Sequence, residues 1–486
     1  MTDHSNNYTH STMLFRQGNL ASFVKNILLL LLLIPCEIYS QGISNWWLTG
    51  YDCGNRNECG ISFTSFNSGY ADTIHGVSPI SFMECNSNIS DSLGNLLFYS
   101  NGVYIANARN DTMANGSGLN PSSYTTQNYN YGLRVKQGNL ILPLPENPNQ
   151  YYLFHETLYL DQTINDYRPF EIFYSIIDMS LDTGRGAVTQ KNVLLLSDTL
   201  TIGSITACKH ANGRDWWIVF HKGVGRRYYE YLLTSSGLTG PFIQDIGYSI
   251  LPRDWSWQSC FSPDGSKYAT IYKKDTFDLM DFDRCSGLFS NCISTSINDS
   301  GFTRGISFSS NSEKLFVSSS NYIYQYSVSA SPFDSSKIKV LTFDSYAEPI
   351  PPFYVGYYLM QLAQDNKIYV TSKSTTRWMT LINNPDSTGL GCNILDHGFL
   401  LPTINAFTIP NFPNYFLGRK AGSVCDSLPT LISYTNNQVF RFNNTFRPMR
   451  VVSDCRGEAV WPIKDDFDER QTYSYFLQRS RELFNK

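Results

Sequence analysis

Short runs of apolar and aromatic residues, four to seven long, recur along this chain and alternate with clusters of Asp, Asn, Gly and Ser. Three stretches show the plan most clearly: Cys260-Phe-Ser-Pro-Asp-Gly-Ser-Lys267, Ser307-Phe-Ser-Ser-Asn-Ser-Glu-Lys314 and Gln361-Leu-Ala-Gln-Asp-Asn-Lys367. Each is an apolar residue, a polar turn, a lysine and then a strand-like run. Asp, Asn and Gly tolerate left-handed backbone, and Asp or Asn side chains cap the turn's own amides. The following run is aromatic and β-branched, which suits a pleated surface. Upstream, the plan recurs with drift at Asp91–Asn95, Glu146–Gln150 and Ala211–Arg214. Six copies stand about 50 residues apart, the period of a propeller blade.

Later copies carry two more strands. Ile172–Asp178, Tyr228–Thr234, Asp278–Asp283, Ile323–Val328 and Met379–Asn383 read as third strands, each followed by a turn and a fourth strand. Four short antiparallel strands per repeat predict an all-β propeller, because an isolated blade cannot bury both of its faces. Gly398–Phe407 reads as an extra inner strand. Trp46–Thr49 and Ile61–Phe66 read as outer strands lacking one. Joined, they predict a seventh blade that closes the ring, with Leu401–Phe407 paired to an N-terminal strand. Six blades is the alternative. A membrane barrel needs strands of about 9–11 residues, longer than these runs.

The ends differ from the middle. Residues 27–34 are an apolar run preceded by Arg16 and Lys25 and followed by Pro35 and Ser40, which predicts a signal peptide over 1–40 with cleavage before Gln41. The propeller is expected over 41–427. Residues 428–486 are richer in charge and form a separate extension, with a helix predicted at 467–484 from a capping box at Asp466–Glu469 and apolar residues at helical spacing.

Export permits disulfides. Cys53 and Cys59, and Cys285 and Cys292, each bracket a short turn-rich loop and are the expected bridges. Composition narrows function further. Aromatics make up 15% and charged residues 16%, with net charge −4, which excludes a disordered chain and a basic nucleic-acid binder. No C-x-x-C, H-E-x-x-H, G-x-S-x-G or phosphate-binding glycine pattern occurs, so no catalytic residue, metal or cofactor is assigned. His210 and His221 are ends of one hairpin, too far apart to share a ligand. Trp255, Trp257 and Trp378 lie near strand ends and are the candidate ligand-face aromatics.

Phe261-Ser-Pro-Asp-Gly resembles the F-S-P-D-G hairpin of WD-repeat-like propellers. Together with Lys209–Trp217, Asp281–Gly287, Leu381–Asp386 and Asn414–Asp426, it makes the chain similar over 41–427 to cell-surface propellers associated with type IX secretion in gliding bacteria. Residues 428–486 depart from that pattern, which ordinarily ends in a small sorting sandwich. The resemblance implies a secreted or surface-displayed, monomeric propeller. The expected role is a non-catalytic binding or scaffold module for a protein or glycan. A hydrolase or lyase working on polysaccharide or peptide at the channel mouth is the alternative.

Overall fold

The computed structural model describes residues 42–426, apart from 55–56, 77–79, 255, 273–274, 300 and 350–351, and three two-residue strands at Ile432–Ser433, Val439–Phe440 and Val451–Val452. The expected signal peptide and the helix at 467–484 lie outside the described residues.

Seven antiparallel sheets follow one another in chain order and form a seven-bladed propeller. Blades three to seven have four strands each; blades one and two have three among the described residues. The hairpins that carry the repeat show why it is local. In blade five, Ser266 N donates to Asp264 Oδ1 at 3.0 Å and Lys267 N to Ser262 Oγ at 2.9 Å, with Gly265 at φ +70°. In blade six, Glu313 N donates to Asn311 Oδ1 at 3.1 Å and Lys314 N to Ser309 Oγ at 2.9 Å. The same side-chain cap thus starts the second strand of both blades.

Aromatic bulk fills the wedges between blades. Trp217 and Tyr228 of blade four pack with Tyr268, Phe282 and Phe289 of blade five. Phe277 of blade five meets Tyr326 of blade six at 5.4 Å between ring centroids. Burying each such ring contributes about 1.5–3 kcal/mol.

The inner strands of blades two to seven begin at Ser87, Asn139, Thr206, Ser256, Thr303 and Tyr357. The ring face where they start is called the entry face here, and the face where they end the exit face.

Ring closure differs from the sequence expectation. Leu401–Asn405 is not an orphan inner strand but the end of Ile394–Asn405, the fourth strand of blade seven, with Asn405 opposite Thr376. Trp46–Tyr51 pairs with Gly60–Ser65, which pairs on its other side with Asp72–Gly76; neither pairs with this segment. The hydrophobic run continues through a sheet edge, so strand pattern alone could not separate a long outer strand from a new inner one. The seam is held instead by side chains and one main-chain bond: Ser62 Oγ lies 2.7 Å from Thr403 Oγ1, and Ile404 N donates to Glu58 O at 2.8 Å.

The inner position of blade one is taken by the non-strand segment after Asn405. Ile409 packs with Trp47, Phe66 and Tyr369, and Asn411 N donates to Asn86 O at 2.9 Å. The segment then runs down the channel. Asn411 Nδ2 donates to Asn139 O at 2.8 Å and Ile205 O at 2.9 Å. Tyr415 OH donates to Ile141 O at 2.6 Å and Asn414 Nδ2 to Pro263 O at 2.7 Å. On the exit face, Lys420 N donates to Ala211 O at 2.8 Å, Arg284 holds Gly418 O, and Cys425 is bridged to Cys285. The chain plugs its own ring.

Candidate functional site

With the channel filled from Asn411 to the exit face, a group of charged and aromatic side chains borders the axis at the entry mouth. Each comes from a different place in the sequence. Glu84 and Lys136 each stand three residues before an inner strand. Trp257, Arg304 and Tyr358 are each the second residue of one. Glu156 ends the second strand of blade three and so returns to the same face.

Trp257 is the centre of the group. Lys136 Nζ lies 4.3 Å from its ring centroid and the Arg304 guanidinium carbon 4.8 Å. Arg304 also lies 5.4 Å from the Tyr358 ring and 5.5 Å from the Phe302 ring. Tyr358 OH donates to Glu84 Oε1 at 3.3 Å, and Gly203 N donates to Glu156 Oε1 at 2.5 Å.

Glutamines brace the floor beneath. Gln137 pairs with the Ser259 backbone through Oε1 at 2.8 Å and Nε2 at 2.9 Å. Gln258 accepts from Ile306 N at 3.1 Å and Met360 N at 2.9 Å. Gly203 sits at φ +72°, and a Cβ there would collide with Lys136 O. Both the left-handed backbone and the close approach require glycine.

Burial sets the electrostatics. Lys136 is 4% exposed and Glu156 1%. Desolvation pushes the Lys136 ammonium down, with Glu84 and Glu156 opposing and Arg304 reinforcing the shift. Desolvation likewise holds the Glu156 carboxyl well above the usual carboxylate range, against the Gly203 amide and Lys136, and its Oε2 has no hydrogen-bond partner among the described residues. Arg304 is lowered by burial, with Tyr358 and Glu84 opposing. The Tyr358 hydroxyl is raised by burial and then by Glu84. A carboxyl and an ammonium both pushed toward their neutral forms by burial are the kind of perturbation that gathers at functional sites.

Of the three tryptophans singled out by sequence, Trp257 is at this mouth. Trp378 is on the third strand of blade seven, 6.4 Å from the His397 ring. Trp255 lies outside the described residues. Trp257 and Trp378 belong to different blades, five and seven.

Cys53 and Cys59 are bridged, with Cα atoms 5.2 Å apart. The expected Cys285–Cys292 bridge is corrected: Cys285 joins Cys425, with Cα atoms 5.6 Å apart, and Cys292 is a free thiol. Phe282 pairs with Phe289 at the end of the hairpin, which puts Cys292 about 10 Å up the strand from the turn that carries Cys285.

Three other clusters merit comparison. His155 Nε2 is 2.9 Å from Ser175 Oγ and Nδ1 is 2.7 Å from Asn120 Oδ1, a Ser-His-Asn line. All three residues are fully buried, burial lowers the imidazole to about 3, and Ser175 Oγ also accepts from Asn192 N at 3.1 Å. The line is a core tie. Asp344, Asp396 and His397 converge within ligand distance, but Asp396 already accepts from Tyr357 OH at 2.8 Å and Thr380 Oγ1 at 2.6 Å. In the third such group, His210 meets the two cysteines already spent in the exit-face bridge.

No family model matches the chain, and no curated protein sequence does either. Solved structures similar to it include a putative 6-phosphogluconolactonase from Bacteroides uniformis, at 13% identity and TM-score 0.38, covering 87% of this chain and 97% of that one. A puromycin hydrolase matches at 12% identity and TM-score 0.41, covering 75% of this chain and 55% of that one. A β-propeller domain from Myceliophteria thermophila matches at 8% identity and TM-score 0.34, covering 68% and 90%.

Proposed function

We propose that this protein is an exported binding module that presents the entry face of a self-plugged propeller to a protein or glycan partner. The observation that carries the reading is the path of 406–418 through the ring. It removes the channel as a conduit and leaves one axial surface, built from residues of blades two, three, five, six and seven around Trp257. Binding residues gather where a rigid scaffold holds them, and here the scaffold is the closed ring itself. Two disulfides among the described residues fit an oxidising compartment. No helix among those residues is long and apolar enough to cross a membrane.

The test is capture of partners from intact cells and from a glycan panel with the full chain. Binding that is lost in Arg304→Ala, with thermal unfolding unchanged, supports the reading. Binding that is insensitive to every entry-face change contradicts it. A hydrolytic second reading rests on Glu156, whose carboxyl burial pushes well above the usual carboxylate range, the direction a general acid requires.

A further inference from the structure

The two cations at the entry mouth have unspent donors. The Lys136 ammonium has no hydrogen-bond acceptor among the described residues, and Arg304 has a single long one, Nε to Ser320 Oγ at 3.3 Å. An ammonium carries three donors and a guanidinium five. Burying them against ring faces alone recovers only part of the lost hydration. Lys373, half-buried, and Arg134, exposed, add positive charge on the same face. Among the described residues, the Glu84 carboxylate opposes them at the mouth. This excess sits in a chain of net charge −4, so it is local rather than a property of the composition.

Building on the binding-module reading, we infer that the entry mouth takes the carboxylate of an acidic, uronate-type glycan between Lys136 and Arg304. A carboxylate meets a guanidinium through two parallel hydrogen bonds and uses the donors the protein leaves over. Phe302 is 48% exposed, with Arg304 over its ring, and adds apolar surface at the rim. Glu84 accepts hydroxyl hydrogens next to it. The mixed signs discriminate: Glu84 repels a phosphate dianion more strongly than a carboxylate monoanion bearing hydroxyl donors. A uronate fixes its hydroxyl donors on the same ring as the carboxylate, whereas an Asp or Glu side chain holds its carboxylate on a flexible stem away from the backbone N–H donors.

Calorimetric titration of the full chain with a galacturonate oligomer, its methyl ester and an oligoglutamate peptide tests this. The acid oligomer is expected to bind about tenfold or more tightly than either rival, with Lys136→Met and Arg304→Gln each losing about tenfold. Because Lys136 is buried, Lys373→Met serves as the variant that leaves the core intact; it is expected to weaken binding several-fold and flatten its salt dependence. Equal binding of acid and ester, preference for the peptide, or indifference to all three substitutions overturns the inference. Ester or peptide binding that is still lost in Arg304→Gln overturns only the uronate assignment and leaves the binding module standing. If no probe binds, the uronate assignment fails, and the capture experiment alone decides the wider reading.

Discussion

The side-chain amide of Asn411 donates to the backbone carbonyl of Asn139 at 2.8 Å, tying the segment that follows the last blade to the inner strand of blade three. The same amide reaches Ile205 O, and Gln137 Nε2 donates to Asn411 Oδ1 at 3.2 Å. One residue therefore satisfies groups from blades three and four inside the channel. Asn411→Ala strands two carbonyls and an amide in a buried setting. Stability is expected to fall by about 2–4 kcal/mol, read as a lower urea midpoint with the blade-level circular dichroism unchanged.

Glu230 gives the protein an alkaline weakness. It is 2% exposed, Oε1 has no hydrogen-bond partner among the described residues, and burial pushes its carboxyl up to about 8. Below the ordinary carboxylate range both folded and unfolded chains hold the proton, and this contribution is fully present. As pH rises through that range toward 8, the unfolded chain ionises first and stability falls. The loss reaches up to about 5 kcal/mol and levels off above 8. Urea midpoints from pH 5 to 9 should show this slope, and Glu230→Gln should flatten it.

Peptide mapping without reduction should recover Cys285 linked to Cys425. Cys292 should resist alkylation in the folded protein, because burial pushes its thiol up to about 12, and should react after unfolding. Cys425→Ser is expected to cost about 2–4 kcal/mol, since the bridge closes a loop of 140 residues.

Gly203→Ala asks a left-handed position to take a side chain and drives it into Lys136 O. A loss of at least about 2 kcal/mol is expected, together with weakened ligand binding, because the collision displaces the backbone that carries Lys136.

The blades were legible because their code is local. Ser262 and Asp264, or Ser309 and Asn311, cap a turn within six residues, so the hairpin is written where it forms. The entry mouth was not legible, because its members stand tens of residues apart and meet only when the ring closes. Lys136, Arg304 and Tyr358 have no motif around them. One periodic signal was there to find: Trp257 and Arg304 each precede the lysine of the next hairpin, Lys267 and Lys314, by ten residues, and Tyr358 precedes Lys367 by nine. Reading the repeat as a register, rather than as a series of turns, would have placed all three on one face. The Cys285–Cys425 bridge was hidden for a different reason. It depends on the path of a non-strand segment across the channel, and no periodicity predicts that path.

The most direct test of the account is a paired binding and turnover assay of the full chain, with Glu156→Gln beside it, against whichever ligand the capture and titration experiments identify. The account predicts saturable binding with tryptophan fluorescence reporting at Trp257, no release of product by wild type, and the same affinity within about twofold for Glu156→Gln. Steady product release by wild type that disappears in Glu156→Gln would contradict it and make the entry mouth an active site.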